Sequence, residues 1–428
     1  MLLAILRIKL YGDPALSIAG NDTITYVEAS QVPLLSPDIM TGRRLLTTNL
    51  IYKMYEPESG YEILVNGSTE TTRRALQPGF DKIVLMQLAL SIFGWSLLAW
   101  FVAENLRNPW LKILSAVLIL AFAYTPQIAD WDSILMSESL TFSLFALQFA
   151  FLIKIASAIY KNPDAKITNW SIAWGTAIFL WTFLRDTNLF TVLITIAMIV
   201  ALFKLNRYRK NRSLIGIVIF LSTIFAIGFY TSSVSVRSTV QLINLYKDDI
   251  FPNPARVAFF QEFGMPEFGT LEFEKWVQED GSSAMIRFML THPGYPATKI
   301  LKDFEPAFHE IKQTYFTARN LNPSREILFS IGNALHPETT TPFLMSIILL
   351  TGVLLLAAKD SGNSRFWAWL GLWLFFSSSL TLIPTILGDT WALNRHALYS
   401  TTIFRLITWT FPIIITDIAL NLQPIENQ

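Results

Sequence analysis

Seven ionisable residues stand where membrane-length apolar segments begin or end: Asp22, Glu138, Arg185, Asp186, Asp389, Arg395 and His396. Their types are those of proton transfer and anion binding. A carboxylate beside an incoming hydroxyl can take its proton as general base. A guanidinium offers a fork of N–H donors that fits two phosphate oxygens. Ionisable groups at the mouths of membrane helices are costly to desolvate, so a set of them points to a site.

Each residue also has a plainer reading. Asp22, in SIAGNDTITYVEAS, would cap a helix that opens near Asn21 or Asp22 and places Thr25, Tyr26 and Ala29 at helical spacing. Glu138, in DWDSILMSESL, would complement the dipole of a helix capped by Ser137. Asp130 and Asp132 precede it in the same short loop, as ligands or as solvated side chains. Arg185 would snorkel and pair with its neighbour Asp186. His396 would pack at the interface. An Arg-His pair opening a helix is unusual, because that end already repels cations, and an anionic ligand would relieve the repulsion. Arg405, about three turns deeper in the same apolar stretch, needs a partner or an aqueous cavity. His292, His309 and His336 are spread too widely to form a motif.

The elements that must position these groups are membrane helices. Of 428 residues, 52% are hydrophobic and 15% charged, against about 25% charged in a soluble domain. Nine segments have the roughly 20 apolar residues that a span requires: 82–104, 110–128, 134–157, 168–185, 187–206, 212–233, 342–358, 365–386 and 396–421. The N-terminus is too short for a signal peptide or a full span and reads as the stub of a first helix, 1–10. The expected fold is therefore an all-α polytopic membrane protein of nine or ten helices. A first loop (11–81) precedes a helix bundle (82–233), and a second loop domain (234–341) precedes the C-terminal helices (342–428). The stretch 273–295 reads as amphipathic helices resting at the interface.

Short-loop charge sets the orientation. Arg107, Lys112, Lys154, Lys161, Lys166, the cluster KLNRYRKNR (204–212), Lys359 and Arg365 all fall on one side. By the positive-inside rule that side is cytoplasmic, which puts both long loops and all seven ionisable residues outside. A net charge of +1 argues against a nucleic-acid partner, and zero cysteines exclude disulfides, thiolate metal sites and thiol nucleophiles.

The ordered set resembles the GT-C superfamily of polytopic glycosyltransferases, which includes protein O-mannosyltransferases and aminoarabinose transferases. The resemblance lies in arrangement over most of the chain: an acid in the first outer loop (Asp22), another at a later helix mouth (Glu138 in MSESL), an arginine ending a helix (Arg185 in FLRDTNLF), a long outer domain, and an Arg-His pair opening the last helix (NRHALYS). It implies an inverting transfer from a polyprenyl-phosphate-linked sugar to a glycan, lipid or protein acceptor at the outer face of a bacterial plasma membrane. Asp22 would be the base, with Glu138 orienting it or the acceptor; Arg185, Arg395 and His396 would hold the leaving phosphate. Asp132, Asp186 and Asp389 would support them. Asp22 and Glu138 would also be the ligands of any divalent cation, Mg²⁺ or Mn²⁺. The sequence departs from the family in having a single Asp22 followed by Thr instead of an acidic pair, and Asp186 where proline is frequent. Two other classes remain open: a transporter or flippase of a lipid-linked sugar or polar lipid, and a non-catalytic envelope-assembly scaffold. The first would show repeats and mid-membrane helix breaks; the second would tolerate Asp22→Ala.

Overall fold

A chain in hydrocarbon must satisfy its backbone polar groups within itself, and the apolar runs accordingly wind into helices. The computed structural model describes residues 2–11, 13–20, 22–64, 75–309, 323–359 and 364–422. Among these residues the regular structure is helical, with only two isolated β-bridges. Six helices are long and apolar enough to cross a membrane: Asp81–Glu104, Glu138–Lys161, Arg212–Ser233, Thr341–Lys359, Ser364–Gly388 and Leu393–Leu420. The protein is a multi-pass membrane protein.

Fewer full spans form than the nine expected. The segment 110–128 becomes Pro109–Tyr124, followed by a 53° bend into Pro126–Ser133, a pair that would make a seventh span if counted as one. The segments 168–185 and 187–206 yield helices of only 15 and 14 residues, Thr168–Thr182 and Leu189–Leu202. At 1.5 Å per residue each is a little over 20 Å long, short of the ~30 Å hydrocarbon core. Both ends of this pair unwind. Arg185 is extended (φ −149°, ψ 135°) between the helices, and the chain beyond Leu202 breaks into turns. The N-terminal helix, Leu2–Tyr11, has 10 residues.

Glu138–Lys161 is the axis of the bundle: 72% of its apolar window is buried, against 22% for Thr341–Lys359. It packs closely on Asp81–Glu104, where a Cβ on Gly94 would come within 2.6 Å of the Ser143 carbonyl oxygen. Only glycine permits that approach, a common device where membrane helices meet.

The chain between 239 and 295, which includes the amphipathic stretch 273–295, folds on itself. Its short helices close their apolar faces on one another around Leu245, Tyr246, Ile250, Phe260, Phe273 and Phe288, a second core separate from that of the bundle. The segment that follows is tied back to the bundle by Arg405. This fully buried guanidinium donates from Nε to the Pro337 carbonyl at 3.0 Å and from Nη2 to the Phe308 carbonyl at 2.7 Å. The partner that Arg405 requires is thus backbone. His336 is a packing residue too: its ring lies 4.1 Å from that of Phe122, and burial lowers its pKa to about 3.

Candidate active site at one mouth of the bundle

Asp22 owes its position to the extended residues before it. Ile18 N–H donates to the Ser133 carbonyl at 2.8 Å, and Leu135 N–H donates to the Ile18 carbonyl at 2.9 Å. On its other side Ser17 exchanges backbone hydrogen bonds with Ala75. Gly20 follows where a Cβ would collide with Met136 Cε at 2.6 Å. The Thr23 hydroxyl then accepts from the Gly20 amide and donates to the Leu135 carbonyl, both at 2.9 Å. The residues just before Glu138 therefore hold the turn that carries Asp22.

The helix foreseen over Thr25, Tyr26 and Ala29 forms as Thr23–Ser30, and all three residues are buried in it. Asp22 occupies its N-cap position but makes no side-chain cap bond. Its carboxylate faces two arginines instead, Arg395 Nη2 at 2.8 Å and Arg44 Nη2 at 3.0 Å. Burial alone would raise the Asp22 pKa, but the charges of Arg395 and Arg44, with their hydrogen bonds, outweigh it and hold the carboxyl below the usual range. Glu138 does stand in the first turn of a helix whose N-cap position is Ser137, but its carboxylate is engaged elsewhere. Ser137 makes no side-chain cap bond, and Glu138 Oε1 accepts from Arg185 Nη2 at 2.6 Å with Arg395 Nε 3.7 Å away.

Arg395 thus stands between the two carboxylates. Its Nη2 also approaches His396 Nε2 at 3.2 Å, while His396 Nδ1 contacts Asp389 Oδ2. Arginine only donates, so Nε2 is the acceptor and the proton sits on Nδ1, where Asp389 orients the ring. The other Asp389 oxygen accepts the Trp391 amide at 2.9 Å. Arg185 reaches the same group through Nη1 to the His396 carbonyl at 3.3 Å. Asp22, Glu138, Arg185, Asp389, Arg395 and His396 therefore form one connected cluster. Its other end is open: the Asp22 side chain is 34% exposed, that of Glu138 only 5%. Glu138 Oε2 and the Tyr52 hydroxyl are buried there without a hydrogen-bond partner among the described residues.

Two of the expected supporting residues are placed elsewhere. Asp132 is neither solvated nor in the cluster: it pairs with the buried Arg7 of the N-terminal helix and accepts from Ser139 Oγ at 2.6 Å. Asp130 is buried as well and receives Arg325 Nη2 at 2.8 Å on both oxygens. The loop read as an exposed helix mouth is the bent, buried segment Pro126–Ser133, which is why its acids turn inward. Asp186 does not pair with Arg185. It takes a two-pronged bond from Arg237, at 3.0 and 2.9 Å.

Arg44 is the residue that sequence reasoning missed. It sits in a long loop exempt from charge-orientation rules, 22 positions beyond Asp22, with no motif around it. Its Nε donates to Thr25 Oγ1 at 2.6 Å and its guanidinium lies 4.2 Å from the Tyr26 ring. As cation ligands the acids fit poorly. Both Asp22 oxygens and Glu138 Oε1 face guanidinium groups, and no group of three or more His, Asp or Glu side chains among the described residues could hold a metal.

The basic loops lie at the far end of the same axis. Arg207 of KLNRYRKNR donates to the Tyr160 carbonyl, next to Lys161, which closes the helix that Glu138 opens. Twenty-four residues separate the ends by about 35 Å. No protein-family model, curated protein or solved structure matches the chain.

Proposed function

We propose that the protein is an inverting membrane glycosyltransferase that moves a sugar from a polyprenyl-phosphate donor to an acceptor at the extracytoplasmic face. The observation that carries this reading is the cluster itself: two carboxylates and three guanidinium groups from four distant parts of the chain meet at one bundle mouth. The acceptor hydroxyl attacks C1 of the sugar, the C1–O bond to phosphate breaks, and the hydroxyl proton passes to Asp22. A carboxylate held below its usual pKa is ionised but weakly basic, so charge stabilisation of the departing phosphate by Arg395 and Arg185 bears most of the rate. Glu138 Oε2 and Tyr52 Oη, otherwise unpaired, are suited to orient a hydroxyl of sugar or acceptor. His396, held by Asp389, lies against Arg395 and supports it where the phosphate departs. No step is assigned to a metal.

Purified protein supplied with radiolabelled polyprenyl-phosphate sugars should transfer label to an acceptor fraction. Asp22→Ala and Arg395→Ala should each lower turnover by roughly 10²–10³-fold. Absence of donor binding and turnover in the wild type, or variants that match it, would overturn the proposal. Binding without turnover would favour a transporter.

A further inference from the structure

A cavity of about 510 Å³ opens among five helices at the end of the bundle opposite Asp22 and Arg395. That volume lies within the roughly 300–1,000 Å³ of ordinary ligand pockets. Its walls are apolar, with Ile155, Trp174, Ile199, Ile217 and Trp369 contributed by the five helices in turn, and Arg207 and Arg365 complete the lining. Both arginines are exposed. Among the described residues neither meets a carboxylate: Arg207 donates to the Tyr160 and Lys161 carbonyls, and Arg365 donates to the Ala357 carbonyl at 3.5 Å. Neutral carbonyls satisfy N–H groups but bring no counter-charge.

Apolar walls under a rim that carries two exposed arginines complement an anionic amphiphile. A small free anion would gain nothing from the walls, and a zwitterionic lipid brings a cation of its own toward the arginines. The surrounding loop KLNRYRKNR carries further basic residues, and such clusters mark the leaflet rich in anionic lipids. We propose that this cavity is a binding site for an anionic glycerophospholipid, with an acyl chain between the helices and the headgroup phosphate on Arg207 and Arg365. The site is independent of the glycosyl-transfer reading: it lies at the other end of the Glu138–Lys161 helix and shares no residue with the charged cluster.

Native mass spectrometry of the full chain released from bilayers of equal phosphatidylglycerol and phosphatidylcholine tests it. The wild type should retain phosphatidylglycerol over phosphatidylcholine by roughly thirtyfold, as two nearby arginines imply. Arg207→Gln with Arg365→Gln should bring the ratio near one, whereas Ile199→Trp, which fills the cavity and spares the arginines, should reduce retention of both lipids. Arg395→Ala should change neither. Equal retention by the wild type, or an unchanged ratio in the double variant, would overturn the proposal. So would displacement of the phospholipid by an equal concentration of polyprenyl phosphate, which would assign the cavity to that chain.

Discussion

The bundle contains two kinds of buried charge, and they differ in how far they open to the surface. Arg7 with Asp132 and Arg405 with two backbone carbonyls are closed off: Arg7 is 2% exposed and Arg405 fully buried, with its Nη1 unpaired among the described residues. The Asp22–Arg395–Glu138–Arg185 cluster is shared among several partners and half open, with a carboxylate oxygen left over. The first kind fastens the N-terminal helix and the chain around Phe308 and Pro337 to the bundle. The second retains binding capacity. Burial of a charge inside a membrane protein therefore does not by itself mark a site; a shared cluster with an exposed edge, here Asp22, does.

Substitution is the strongest way to break this distinction. Asp132→Ala leaves Arg7 buried without its carboxylate and should cost about 3–5 kcal/mol in thermal unfolding, with activity falling only as the fold is lost. Glu138→Gln should do the reverse, lowering turnover roughly 10²-fold while the unfolding midpoint moves little. If the two variants behave alike, the distinction is wrong. Acid titration gives a finer comparison. The folded Asp22 pKa lies below the unfolded value of about 3.9, so its ionised pairing stabilises fully above that value and is lost as pH falls from there through the folded pKa. Lowering the pH from about 5 to about 3 should therefore destabilise the wild type more than Asp22→Asn, as read by unfolding in detergent. The smallest effect concerns the contact between the helical unit of 239–295 and the site loop, where Thr390 Oγ1 donates to Asp248 at 2.8 Å. Thr390→Val should change turnover by no more than a few fold and stability by about 0.5 kcal/mol or less.

The long helices were legible because lipid allows few alternatives to an apolar run of about 20 residues. Asp22, Glu138, Arg185, Asp389, Arg395 and His396 were legible because each is polar at the edge of such a run. What escaped depends on contacts that no local pattern encodes. The bend at Thr125 turned Asp130 and Asp132 inward. The extended Arg185 shortened two helices at once. Arg44 joined the site through a tertiary fold of the first loop, and apolar residues of 273–295 close a second core with those of 242–265.

The extended residues before Asp22 also carry a consequence for biosynthesis. Ile18 bonds to residues more than a hundred positions later, and Asp22 meets Arg395 after a further 373. Closures of that length form late, when the last segments have been inserted. The charged mouth thus has no counterpart in a partly synthesised chain: a ribosome-bound intermediate already holds Asp22, Arg44 and Glu138 in the membrane, yet the cluster exists only once the final helix arrives.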